Sequence, residues 1–77
     1  MLTLVQRNAL DRFAKSLAAL SDDSLIDAYN QAWENHRDAR AEGSDNLDKA
    51  GAESLATETA MRRRFHDYRT RYNERYP

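Results

Sequence analysis

The chain has no cysteine, one proline (Pro77) and only two glycines in 77 residues. Without thiols there can be no disulfide, thiolate zinc site, iron–sulfur cluster or cysteine nucleophile, and a reducing compartment is compatible with the composition. A single domain of this size sits near the lower limit for a self-sufficient core, so self-association is the remaining staple. Scarce proline and glycine leave few breaks in a sequence rich in alanine, leucine, arginine and glutamate, which points to an all-α fold. Gly43 and Gly51 are too few and too far apart for a glycine-rich phosphate loop.

Long apolar runs are also missing. The N-terminal stretch MLTLVQRNALDRFAKSLAAL is apolar on one face, but Arg7, Asp11, Arg12 and Lys15 interrupt it. It is no signal-peptide core or membrane span, and the expectation is a soluble cytoplasmic protein with no membrane partner. The two histidines, His36 and His66, have no histidine four residues away, and Glu34 with Asp38 makes only a lone carboxylate pair. No metal site is expected from them. The serines sit at caps and turns (Ser21, Ser24, Ser44) or within helices without a neighbouring base (Ser16, Ser54). With no cofactor signature either, the chain does not read as an enzyme.

What is present is helical periodicity. Thr3 with Gln6 forms a capping box opening helix 1, about residues 4–20, with Val5, Ala9, Phe13 and Leu17 on its apolar face beside Leu10, Ala14 and Leu20. Ser21, followed by Asp22 and Asp23, caps helix 2, about 22–42, which carries Leu25, Ile26, Tyr29, Ala32, Trp33 and His36 on one side and ends at Gly43. His36, one turn after Trp33, reads as an interface edge. A helix-turn-helix reading of helices 1 and 2 fails, because its recognition helix would present Asp22, Asp23 and Asp27 to phosphates.

Asp45 is the expected cap of helix 3, about 45–76. It runs from small residues (Ala50, Ser54, Thr57) into an aromatic stripe of Met61, Phe65, Tyr68, Tyr72 and Tyr76 at spacings of four, three, four and four. Tyr29 and Trp33 are the expected fillers of the small half. Gly51 leaves a fork between an unbroken helix and a loop over 43–53 followed by a shorter helix. In the unbroken case, a tight turn at Gly43 and Ser44 sets antiparallel helices 2 and 3 so that facing residue numbers sum to about 88. Trp33 then faces Leu55, Asp22, Asp23 and Asp27 face the region of Arg62 to His66, and residues 67–76 project by about 15 Å. The overall expectation is one domain, 1–77, forming a three-helix antiparallel bundle with a long C-terminal helix.

The net charge of −1 hides segregation: +2 over residues 1–20, −7 over 21–60 and +4 over 61–77. Six arginines interleaved with tyrosines in the last segment suit nucleic acid or phosphate. The competing reading pairs Arg62, Arg63 and Arg64 with Asp22, Asp23 and Asp27 and puts the tyrosines in the core, and the overall charge favours it. A surface carrying both signs suits a protein partner best. Tyrosine and arginine are also enriched among interface hot spots, which makes Arg64, Tyr68, Arg69, Arg71, Tyr72, Arg75 and Tyr76 the candidate partner-binding residues.

The capped amphipathic stretch SDDSLIDAYNQAWENH, within a compact cysteine-free helical chain, resembles the small accessory proteins of phages and mobile elements, anti-CRISPR inhibitors among them. That resemblance implies inhibition by occupying a surface of a larger host complex, without chemistry, and assigns no residue. The expectation is thus a non-catalytic protein-binding module, with self-association into a homodimer as a further possibility and nucleic-acid binding through the arginine-rich helix as the alternative.

Overall fold

The computed structural model describes residues 2–77. They form four helices and, among the described residues, no strand: α1 (Leu4–Leu17), α2 (Asp22–Glu42), α3 (Leu47–Arg64) and α4 (Tyr68–Arg75). The all-α class holds, but the three-helix expectation does not, because the C-terminal stretch is two helices. None of them is long and apolar enough to cross a membrane.

Local chemistry explains most boundaries. The Thr3 side chain accepts from the Gln6 amide at 3.1 Å, and the Gln6 side chain accepts from the Thr3 amide at 2.9 Å, so two amides at the start of α1 are satisfied reciprocally. α1 ends at Leu17, three residues short of the expected 20. The amides of Ala18, Ala19 and Leu20 reach back only three residues, a tight last turn that frees Ser21 to adopt an extended backbone and cap α2. Gly43, at φ +65°, closes α2. The amides of Gly43 and Ser44 return to Arg40 and Ala39, the paired bonds of a Schellman motif. Asp45 does not cap α3: the Ser44 hydroxyl takes the Asn46 amide at 3.1 Å, and the helix starts at Leu47.

Gly51 lies inside α3, so the loop over 43–53 is excluded. An added β-carbon there would come 3.3 Å from His36 Nε2, so α2 and α3 approach closely at this level. The break falls instead at Phe65, whose extended backbone (φ −120°, ψ 120°) ends α3 before α4 begins at Tyr68. Phe65, His66 and Asp67 are weak helix formers, yet no glycine or proline marks the site. Turning there returns three phenol rings to α2; a continuous helix would have carried them into solvent.

α3 is the central element, packed against α1, α2 and α4. Leu17, Leu25, Ile26, Met61 and Phe65 form the core, and Ser54 and Thr57 are fully buried on α3. Both hydroxyls are satisfied within the helix, Ser54 donating to the Gly51 carbonyl and Thr57 to that of Ser54, each at 2.8 Å. With Ala32 and Ala39 buried on α2, the central hairpin closes over small side chains, while Tyr29 and Trp33 stay half-buried at its edge instead of filling it. On α1, Phe13 and Leu17 turn inward as expected, but Val5 and Ala14 are exposed. The fold is thin, 33 × 26 × 16 Å, and leaves large side chains on its faces.

Candidate functional site

The break at Phe65 decides what the seven candidate residues touch. Residues 67–76 do not project; α4 lies across the first half of α2. Tyr72 donates to Asn30 Oδ1 at 2.6 Å, and the Tyr76 hydroxyl donates to Asp27. Arg75 binds Asp27 with two nitrogens, at 2.6 and 2.9 Å, and lies 3.6 Å from Asp23. These bonds hold the Asp27 carboxyl down to about 2, the guanidinium contributing most and the Tyr76 hydroxyl next. The same carboxylate pushes the Tyr76 phenol up.

Arg64 is spent on α1. It donates to the carbonyls of Leu20, Leu17 and Ala18 at 2.5, 3.2 and 3.2 Å, in the turn that ends α1, and sits 3.7 Å from Asp22. The expected neutralisation of Arg62 to Arg64 by Asp22, Asp23 and Asp27 therefore holds for Arg64 alone. Asp23 and Asp27 pair with Arg75, and Arg62 lies 3.7 Å from Glu58. Arg71 stacks its guanidinium 4.9 Å from the Phe65 ring centroid and pairs with Asp67 at 3.4 Å.

Tyr68 and Arg69 belong to a different arrangement. Tyr68 is half-buried, edge-on to Tyr29 at 6.3 Å, and the guanidiniums of Arg62 and Arg69 lie 5.6 and 5.8 Å from its ring centroid. Arg69 Nε also donates to the Tyr68 hydroxyl at 3.3 Å, and the two arginines, Arg69 first, draw the phenol below its ordinary range. Tyr29 is edge-on to Trp33 at 6.3 Å, and Trp33 meets His36 at 5.5 Å, so rings run in file along α2 from His36 to Tyr68.

Beside this file, Trp33, His36, Leu47, Gly51 and Leu55 line an open cleft between α2 and α3. Leu55 is 59% exposed although it is a large aliphatic side chain, and Trp33 Nε1 is buried without a hydrogen-bond acceptor among the described residues. Arg37 and Arg40 border Trp33 and His36 on the far side. Aromatic rings, an exposed leucine and guanidiniums thus lie near one another, with Asp48 in the cleft lining and Glu58 beside Arg62.

Trp33, Leu55 and Arg62 are absent from the seven residues chosen on sequence grounds. The signal for the first two was available, since the facing sum near 88 pairs Trp33 with Leu55 and His36 reads as an edge. Arg62 joins the face only because α4 folds back and brings Tyr68 over it. Among the described residues, no three histidine, aspartate or glutamate side chains converge to hold a metal ion. Comparison with protein families, with characterised proteins and with solved structures finds no match for this chain.

Proposed function

We propose that this chain is a non-catalytic protein-binding module, an inhibitor of the phage or mobile-element kind that works by covering a surface of a larger host complex. The observation that carries the reading is Leu55, 59% exposed in a cleft shared with Trp33 and followed by the Tyr68 ring between Arg62 and Arg69. Tryptophan, tyrosine and arginine around an apolar anchor are the side chains on which interface energy concentrates. Of the seven residues chosen on sequence grounds, Tyr68 and Arg69 face the partner in this reading, while Arg64, Arg71, Tyr72, Arg75 and Tyr76 make contacts within the fold. A second copy occupying the same face, as a homodimer, is the self-associating form of this reading, and mass measurement in solution separates the two.

The test is a pull-down from lysate of the organism that encodes the chain, comparing the native protein with Leu55→Glu. A host protein retained by the native chain and lost from the variant, at equal helicity, is the expected result. Equal retention by both removes the face.

Nucleic acid is the second reading, favoured by the arginines stacked on Tyr68. It requires affinity that falls steeply with salt. A gel shift at low salt is expected to show no complex, because the overall charge is −1.

A further inference from the structure

We infer that the partner of this face is a second copy of the chain, joined by laying α3 antiparallel against α3 about a two-fold axis at Leu55. This rests on the protein-binding reading above and commits it to its self-associating form.

Asp48, Leu55 and Arg62 recur at intervals of seven residues on α3, and all three are exposed. Seven residues fall about 20° short of two full turns, so an acid, a leucine and a base form one narrow strip with about 10 Å between successive members. Leu55 is its centre, 59% exposed, and Gly51 and Ala52, one turn before it, keep the surface low enough for another helix backbone to approach. A two-fold contact is self-complementary: where one residue meets another, the second also meets the first. With the axis at Leu55 and the helices antiparallel, facing residue numbers sum to about 110. Leu55 then meets itself, Gly51 lies opposite the partner's Thr59, and Asp48 lies opposite the partner's Arg62 at both ends. A parallel pairing would set Asp48 against Asp48 and Arg62 against Arg62, so the charges select the antiparallel one.

Arg62 has room for this second carboxylate. Its side chain is 60% exposed, its contact with Glu58 is 3.7 Å long within the same helix, and a guanidinium carries several donors. Asp48, as a carboxylate, accepts from more than one donor. A foreign helix of one charge sign matches one end of the strip and clashes with the other, whereas this chain's own α3 matches both. A second copy also supplies the apolar cover that a chain of 77 residues without cysteine is short of.

The test is sedimentation equilibrium of the full chain at concentrations up to about 500 µM. The expected result is a mass rising from 8.9 kDa to twice that, with a dissociation constant below about 100 µM. Asp48→Arg and Arg62→Asp each place like charges opposite one another at both ends, and each alone weakens pairing at least about tenfold with circular dichroism unchanged. An equimolar mixture of the two variants regains it, because each charge then meets its opposite, a recovery that a merely structural defect would not give. The chain has no cysteine, so Leu55→Cys supplies a check independent of charge. On oxidation it forms a covalent dimer, and Lys15→Cys, exposed on α1, does not. A mass of one chain throughout, pairing indifferent to either charge variant, a mixture that stays monomeric, or Leu55→Cys cross-linking no faster than Lys15→Cys each overturns the proposal. If the native chain is monomeric while Leu55→Glu still loses a host protein from lysate, the self-pairing alone is wrong. If retention from lysate is also equal, the protein-binding reading falls with it.

Discussion

Arg75 reaches Asp27 across 48 positions of sequence and binds it with two nitrogens, at 2.6 and 2.9 Å, fastening α4 to α2. Because the pair is partly exposed, its contribution is screened by solvent and is read better from α4 than from global stability.

The pH dependence follows from the depressed carboxyl. Asp27 titrates at about 2 in the folded chain against 3.8 ordinarily, so its contribution is complete above about pH 4 and disappears as the pH falls toward 2. Amide exchange in Tyr68–Arg75 is expected to quicken over that interval ahead of α3. Asp27→Asn removes this step and leaves α4 loosened at neutral pH.

Arg64→Ala is expected to destabilise the fold by about 2 kcal/mol, since three carbonyls at the end of α1 lose a charged donor. Arg64→Lys recovers only part of this, because an ammonium cannot reproduce the planar fork. Urea denaturation of the three proteins checks both statements.

The core gives opposite outcomes at two fully buried positions. Met61→Ala is expected to cost about 2–5 kcal/mol, comparable to the whole stability of so small a domain, and to leave it largely unfolded at 37 °C. Ser54→Ala stays within about 0.5 kcal/mol of the native chain, since the lost hydroxyl only bonds back to its own helix. Ser54→Leu overfills the seam between α2 and α3 and costs about 1–3 kcal/mol. Thermal melts order the three.

The two glycines also separate. Gly43→Ala places a β-carbon on a left-handed backbone and is expected to cost about 1 kcal/mol. Gly51→Ala gains helix propensity while the half-buried His36 ring tilts away by a few tenths of an ångström, for a net stabilisation of up to about 1 kcal/mol. Altered Trp33 emission in Gly51→Ala would register the shifted His36 contact.

Features decided within a few residues were legible in the sequence. The Thr3–Gln6 box, the Ser21 cap and the glycine stop at 43 each depend on chemistry inside one turn. The facing of Trp33 and Leu55 followed from a tight turn and equal rise. The break at Phe65 was not legible, because nothing local forces it: the turn is stabilised by Tyr72 with Asn30 and by Arg75 and Tyr76 with Asp27, pairs 42 to 49 positions apart. The stripe of aromatic residues was correctly periodic, but its period survives a change of direction. For the same reason the sequence placed the candidate site at the tip of a rod, whereas the rings fold back and leave Tyr68, Arg62 and Arg69 beside the cleft.

The left-handed turn at Gly43 also sets an order of assembly. It joins the two helices with the densest mutual packing through a short connection, residues 43–46, so the α2–α3 hairpin is the natural nucleus. α1, held chiefly by α3, and the C-terminal helix, held by partners far away in sequence, add afterwards. Substitutions within the hairpin should therefore slow refolding, while loss of Asp27 or Arg75 should mainly hasten unfolding.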